Sequence, residues 1–356
     1  MKYPALLPAS EVLARLDDYD SIIDVRSESE FALDHVPGAI NCPVLNDAER
    51  AQVGTLYKQT GAFEAKKIGA ALVTHNIAQH LQQTLAEKPR DWKPLIYCWR
   101  GGNRSGAMAH ILAKIGWPAI QLDGGYREYR RAVLSWLDSE PQTLSFRVIC
   151  GTTGSGKSRL LTSLANEGAQ VLDLEQLAVH RGSVLGRIPG ELQPSQKMFE
   201  SRIWQKLRGF TATQPVYVES ESRKIGNLRV PEKLMEKIRA SACVHLQTST
   251  ADRVALLIED YPHLAADGTL LGGRLDHLVA LHGRAKISRW RDMAQSGEIS
   301  RLVEELLSQH YDPAYLRSIE RNFASYAQSR LLRLDDITGE AFSKAAKALL
   351  ADDMAN

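Results

Sequence analysis

The sequence predicts an α/β protein built from two parallel-sheet units in tandem, with a helical region closing the chain. Three observations carry this prediction. Short apolar runs alternate with helix-periodic stretches twice over. Each set contains one run that ends in a glycine-rich loop and then passes into a helix. A polar, proline-bearing segment, DSEPQTL at 138–144, separates the two sets. The units are expected over 1–137 and 145–250, with 138–144 as linker and a mostly helical 251–356 associated with the second unit.

In the first unit, strand-like runs occur at Ser21–Val25, Pro94–Cys98 and Ala119–Leu122, where short apolar stretches are bounded by turn residues. Helical periodicity fills 48–59, 69–86, 105–115 and 126–137 between and after them. In the second unit FRVIC (146–150) reads as a strand and RLLTSLANEG as a helix closing on Gly168. Further strands are expected at Ala169–Leu174, Pro215–Val218 and Cys243–Leu246. Beyond Ala251 helical periodicity dominates, most clearly over Gly297–Tyr311, and neither a repeat nor a low-complexity tract appears.

With 44% hydrophobic and 24% charged residues over 356 positions, the chain has enough apolar surface for a core in each unit, so disorder is not the default. No apolar run reaches the roughly 18 residues of a membrane helix, and Pro4 and then charge interrupt the N-terminus before a signal-like core develops. A cytoplasmic protein without a membrane partner is expected. Cys42, Cys98, Cys150 and Cys243 form no C-x-x-C pair, which argues against a zinc site and a disulfide framework and leaves room for a lone nucleophile. The net charge of +2 means that nucleic-acid binding would have to rest on local clusters, such as the basic stretches 197–239 and 274–291. A solvated helix face explains such stretches equally well. Nothing specifies an oligomer, and a monomer is the simplest expectation.

GTTGSGKS places Gly151, four residues, Gly156, Lys157 and Ser158 between an apolar strand and a helix, the context of a P-loop. Its glycines let successive amides converge on phosphate oxygens, the helix N-terminus adds partial positive charge, and Lys157 supplies a full one. Ser158 is the residue that would hold magnesium if the ion binds. Asp173, Glu219 and Glu221 are the acidic candidates to accompany it, and Arg223 is a further candidate for polar support. None of the acids follows the familiar apolar-run-then-Asp pattern, so phosphate binding is better supported than nucleotide hydrolysis. His180 and Arg181 lie in a glycine-containing loop where a lone histidine is more often structural than catalytic.

LIYCWRGGNRSGAM places Cys98 at the end of the apolar run, where ligand sites of open parallel sheets lie. Arg100, the amides of Gly101, Gly102 and Asn103, Arg104 and the following helix N-terminus favour an anion, and the same field favours a thiolate. The Cys-x5-Arg spacing is that of a phosphatase loop, whereas a rhodanese loop uses the same design to carry sulfur or selenium on its cysteine. The spacing alone leaves both open.

The flanks distinguish them. DVRSESEFALDHVPGAINCP (24–43) resembles the rhodanese N-terminal signature and LDGGYREY (122–129) the second rhodanese signature. The first unit is therefore similar to a rhodanese domain, with a loop one residue longer than in typical sulfurtransferases and Tyr97 where the tyrosine-phosphatase motif has His. Asp24 and Arg26 read as a structural polar pair near the loop, and Cys42 as a buried residue. With YCWRGGNRSGAMA followed by GTTGSGKS, DLEQLAVHRGSVLG and VESESRKIG, nearly the whole chain resembles the tRNA 2-selenouridine synthase family.

That resemblance implies conversion of wobble-position 2-thiouridine in tRNA to 2-selenouridine, by S-geranylation with geranyl diphosphate and then selenation with selenophosphate. It implies Cys98 as the selenium carrier and Arg100 to Arg104 as the selenophosphate cradle. Gly151, Thr152, Thr153, Gly154, Ser155, Gly156, Lys157 and Ser158 would bind the prenyl diphosphate, without a tightly bound cofactor. The basic segments from Arg274 onward would meet tRNA phosphates. The alternative is a rhodanese-fold phosphatase, or a sulfurtransferase or persulfide carrier, coupled to a nucleotide-binding P-loop domain.

Overall fold

The structure is a computed structural model that describes residues 3–183 and 186–355. It divides into two compact units, Met1–Asp138 with Pro194–Gln205, and Ser139–Gln193 with Lys206–Asn356.

The first unit is a parallel five-stranded sheet of β1 (Ala5–Leu7), β2 (Ser21–Asp24), β3 (Ala39–Asn41), β4 (Pro94–Tyr97) and β5 (Ile120–Leu122), in the order β1-β5-β4-β2-β3. Central β4 is buried at all four positions, as an apolar run covered on both faces must be. Ile23, Ile96, Met108, Leu112 and Trp92 lie in its core. The helix expected from 69 begins at Ala62 and runs to Gln83. Strands β1 and β3 were not expected; each is three residues long and neither has a fully buried position.

Pro194–Gln205 was expected in the second unit and instead packs with the first. Trp204 meets Tyr129 edge-on at 5.6 Å, Glu200 pairs with Arg130, and the Ser195 hydroxyl donates to the Leu33 carbonyl. These partners are remote in sequence, which is why periodicity could not assign the helix Gln196–Leu207 to a unit.

The second unit carries β6 (Phe146–Cys150), β7 (Gln170–Leu172), β8 (Val216–Glu219), β9 (Lys224–Ile225), β10 (Leu228–Arg229), β11 (Ala242–Gln247) and β12 (Arg330–Arg333). Five of these form a parallel sheet in the order β12-β11-β6-β8-β7, and β9 and β10 form a separate antiparallel pair. The helices Lys157–Asn166 and Gly339–Ala355 contribute to a core around Leu160, Leu164, Phe342 and Ala346. A helical cluster between β11 and β12 closes around Trp290, Leu275 and Leu302. The region beyond 251 is therefore not wholly helical, because β12 returns to the sheet beside β11. Among the described residues no helix is long and apolar enough to cross a membrane.

Candidate functional sites

Cys98 follows the last residue of β4 and is 4% exposed. The Ser105 hydroxyl, in the first turn of the helix Asn103–Ile115, donates to its Sγ at 3.2 Å. Gln121 of β5 fastens the loop, its Nε2 donating to the Gly101 carbonyl at 2.6 Å and to Ser105 Oγ at 3.0 Å. The second signature supplies the other wall. Tyr126 N donates to the Cys98 carbonyl at 2.8 Å, and Gly125 has φ +58°. A Cβ at Gly125 would stand 2.2 Å from that carbonyl and 2.5 Å from Gly101 N, so only glycine permits this approach.

The two loop arginines have different surroundings. Arg100 is exposed and makes no ion pair among the described residues, whereas Arg104 donates to Glu30 at 2.9 Å. Arg104 is thus shared with a resident carboxylate, whereas Arg100 is not. Asp24 and Arg26 form a buried bidentate pair under the loop, Arg26 also donating to the Asp34 carbonyl and stacking 4.0 Å from the Tyr126 ring centroid. Tyr97 is fully buried, and its hydroxyl accepts from Val36 N. Cys42 is buried as well, and burial pushes its thiol up to about 11, which suits packing better than redox chemistry.

In the second unit Gly151 begins where β6 ends, and the loop through Gly156 leads into the helix Lys157–Asn166. The Lys157 ammonium donates to the Gly151 carbonyl at 2.8 Å, and Gly151 N donates to the Tyr315 hydroxyl at 2.7 Å. The loop is braced from the helical region. Arg253, 6% exposed, donates to the Thr153 carbonyl at 2.9 Å while both ends of its guanidinium engage Asp312. Ser158 lies in the first helical turn and is exposed.

Strand β8 hydrogen-bonds directly to β6, with Glu219 in register with Ile149, so its acidic end stands beside the loop. Glu175, Glu219 and Glu221 bring carboxylate oxygens within 4.8 Å of one another. Glu219 Oε1 is buried without a hydrogen-bond partner. Burial raises the pKa of all three. The other acids reinforce the shift at Glu175 and Glu219, and Lys157 opposes it at all three. Gly182, at φ +57°, closes over the group; a Cβ there would lie 2.4 Å from Glu175 Oε1 and 2.8 Å from Glu221 Oε2.

Of the acidic candidates read from sequence, Glu219 and Glu221 enter this cluster. Asp173 instead caps the helix Leu174–Ala178 by accepting from Gln176 N, and Arg223 pairs with Glu232. Sequence reasoning missed Glu175, Gly182, Gln121 and the Arg253–Asp312 brace. The one available signal for Glu175 was its place two residues after Asp173 at a strand-to-helix junction.

An apolar cleft is lined by Thr153 of the P-loop together with Leu257, Tyr261, Leu271, Val303 and Leu307. The basic stretch 274–291 is partly neutralised, since Arg291 pairs with Asp276 and Arg289 with Glu305.

Together these features define a rhodanese-like cysteine-loop unit joined to a phosphate-loop unit. Residues 8–132 match the family model described as rhodanese-like domain, and residues 144–273 the one described as tRNA 2-selenouridine synthase AAA domain. Proteins named tRNA 2-selenouridine synthase align over most of the chain. The one from Nitrosomonas europaea is 33% identical, covering 84% of this chain and 89% of its own length. That from Aeromonas salmonicida is 33% identical, covering 87% and 90%. That from Marinobacter nauticus is 32% identical, covering 83% and 87%. The chain belongs to the tRNA 2-selenouridine synthase family.

Proposed function

We propose that this protein converts 2-thiouridine at the wobble position of tRNA to 2-selenouridine in two steps, each served by one unit. In the first, the thiocarbonyl sulfur attacks C1 of geranyl diphosphate, the C1–O bond breaks, diphosphate departs and the base loses its N3 proton. In the second, the selenium of selenophosphate, held at the Cys98 loop, attacks C2 of the geranylated base, the C2–S bond breaks and geranyl thiol departs, and water cleaves the Se–P bond to release phosphate and leave 2-selenouridine. Prior alkylation helps because a geranyl thiolate leaves more readily than a thiocarbonyl sulfur.

The observation that carries the reading is the apolar cleft that Thr153 of the P-loop helps to line. A phosphate-binding loop continued by an aliphatic wall suits a donor with a diphosphate head and a hydrocarbon tail, whereas a ribose and base would need polar partners. Lys157 and the helix N-terminus stabilise the charge growing on the departing diphosphate. At Cys98, Arg100 and the amides of Gly101, Gly102 and Asn103 hold the phosphate of the selenium donor, while the Ser105 hydroxyl, donating to Cys98 Sγ, fixes the position of the sulfur.

Glu175, Glu219 and Glu221 fit a magnesium ion, since they form an all-oxygen donor set and Glu219 Oε1 lacks a partner. Such an ion would supply further charge neutralisation to the diphosphate. Lys157 and the helix N-terminus provide the chain's own share of that work.

The test is incubation of a 2-thiouridine RNA with geranyl diphosphate, with and without selenophosphate, followed by nucleoside mass analysis. Cys98→Ser should accumulate S-geranyl-2-thiouridine and form no 2-selenouridine. Lys157→Ala should fail to geranylate yet still selenate a pre-geranylated RNA. Loss of both steps in both folded variants would sink the division of labour, and release of phosphate from an aryl phosphate without selenium incorporation would favour a phosphatase.

A further inference from the structure

The second unit holds another cavity, about 640 Å³ in volume and different in character from the apolar cleft. It is lined in part by His180, Gly182, Ser183, Arg187, Gln193 and Lys224. Its wall is a built structure. Gln193 Nε2 donates to the carbonyls of Ala178 and Ile225 at 3.2 and 3.1 Å, while its Oε1 accepts from Asn227 N at 2.8 Å. One side chain thereby ties three lining segments together.

Three features say what the cavity takes. Arg187 and Lys224 are exposed and make no ion pair among the described residues, against Glu191 as the single lining carboxylate. His180 is 8% exposed, and its Nδ1 has no hydrogen-bond partner. Leu192, 80% exposed, adds an apolar surface to the same lining. Two free cations, a polar ring and an apolar face match the phosphates, edge and face of a nucleotide, and the volume lies in the usual range for a small-ligand site.

Its neighbours tie the cavity to the chemistry. Gly182 lines it and also lies against Glu175 and Glu221, and Ser183 lines both this cavity and the apolar cleft that Thr153 helps to line. A base held here therefore adjoins the wall along which a donor tail would lie.

We propose that this cavity receives the unpaired nucleotide of the RNA substrate whose sulfur is alkylated, with its flanking phosphates on Arg187 and Lys224 and its base edge against His180. This rests on the reading of the chain as a tRNA-modifying enzyme. It replaces the basic stretch 274–291 as the principal RNA contact.

The test measures binding of the full chain to an anticodon stem-loop RNA carrying one 2-thiouridine, by fluorescence anisotropy over a salt series, without prenyl or selenium donor. Arg187→Glu combined with Lys224→Glu should weaken binding by about tenfold or more and flatten the log–log salt dependence by about 1.4, the share of two single-strand phosphate contacts. Both residues are exposed, so the variant should keep its melting temperature and its affinity for geranyl diphosphate. His180→Ala should reduce the preference for an unpaired base over a fully duplexed RNA. Affinity within twofold of wild type in the double variant overturns the proposal, as does a loss seen only on reversing Arg284 and Lys286. The binding readout is independent of prenyl chemistry: RNA binding through the cavity, with no S-geranyl product in a separate incubation with geranyl diphosphate, would remove the two-step reading and the alkylation at this site while leaving the cavity as the seat of the unpaired nucleotide.

Discussion

Replacing Glu219 with glutamine should stabilise the second unit at alkaline pH. Two unit charges 4.8 Å apart, at an effective dielectric of about 20, repel by about 3.5 kcal/mol. Burial is the main reason the pKa values of Glu175, Glu219 and Glu221 are raised, and at Glu175 and Glu219 repulsion between the acids adds to it against one Lys157. The sign follows from linkage. A carboxyl whose folded pKa exceeds its unfolded value contributes stability that is complete below about pH 4 and is lost as pH rises through the folded value. Glu219→Gln keeps the shape, gives the partnerless Oε1 position an amide that can bond to a neighbouring carboxylate, and removes the charge. Because the proton already relieves part of the repulsion, the net gain at pH 8 should be about 1–3 kcal/mol, shrinking toward zero at pH 4. For a unit of this size each kcal/mol raises the transition by about 2–4 °C. Differential scanning calorimetry of the full chain with chelator, at both pH values, measures it. Added magnesium should stabilise wild type more than the variant. A lower transition for the variant at pH 8, or an equal gain at both pH values, would refute the reasoning.

Gly125→Ala would place a Cβ 2.2 Å from the Cys98 carbonyl at φ +58°; a loss of about 1–3 kcal/mol from the first unit is expected, together with an altered rate of Cys98 alkylation by iodoacetamide. An unchanged melt would show that the Gly125 turn can move away. Arg253→Ala would leave Asp312 unpaired and the Thr153 carbonyl unsupported; a cost of about 3–5 kcal/mol and weaker binding of inorganic diphosphate are expected, by calorimetry and titration. Full stability with intact diphosphate affinity would remove Arg253 as the brace of the loop.

The fold was legible where burial alone decides the pattern. Strands β4, β6 and β8 are short, almost wholly buried runs ending at a loop or an acidic residue, so each reads as a strand in isolation. The edge strand β12 carries no such signal. Residues Arg330–Arg333 have one buried position between charged ends, and they become a strand only because β11 offers a free edge in register with Val244–Gln247. The helix Gln196–Leu207 is a stronger case. Its periodicity is evident, yet its place beside Tyr129 and Arg130 is set by tertiary contacts that no local window contains.

The two loops were legible for the same reason, since an anion cradle is built from consecutive amides and glycines must be contiguous to supply them. What neutralises, braces or competes with a cradle comes from elsewhere in the chain. Asp173 read as one of three acidic candidates beside Glu219 and Glu221, but an Asp before a helix is most stable as its cap, and that use leaves Glu175 to complete the carboxylate group. The first loop follows the same logic in reverse. Two arginines in one motif predict two charges for the anion, yet Glu30, seventy-four residues from Arg104 in the chain, already holds one of them. The Glu30 carboxylate is kept low despite its burial, because Arg104 donates to it, so the pair persists at neutral pH. Under the proposed function, an incoming selenophosphate would share Arg104 with a resident carboxylate while meeting Arg100 unopposed, and its capture would depend chiefly on Arg100.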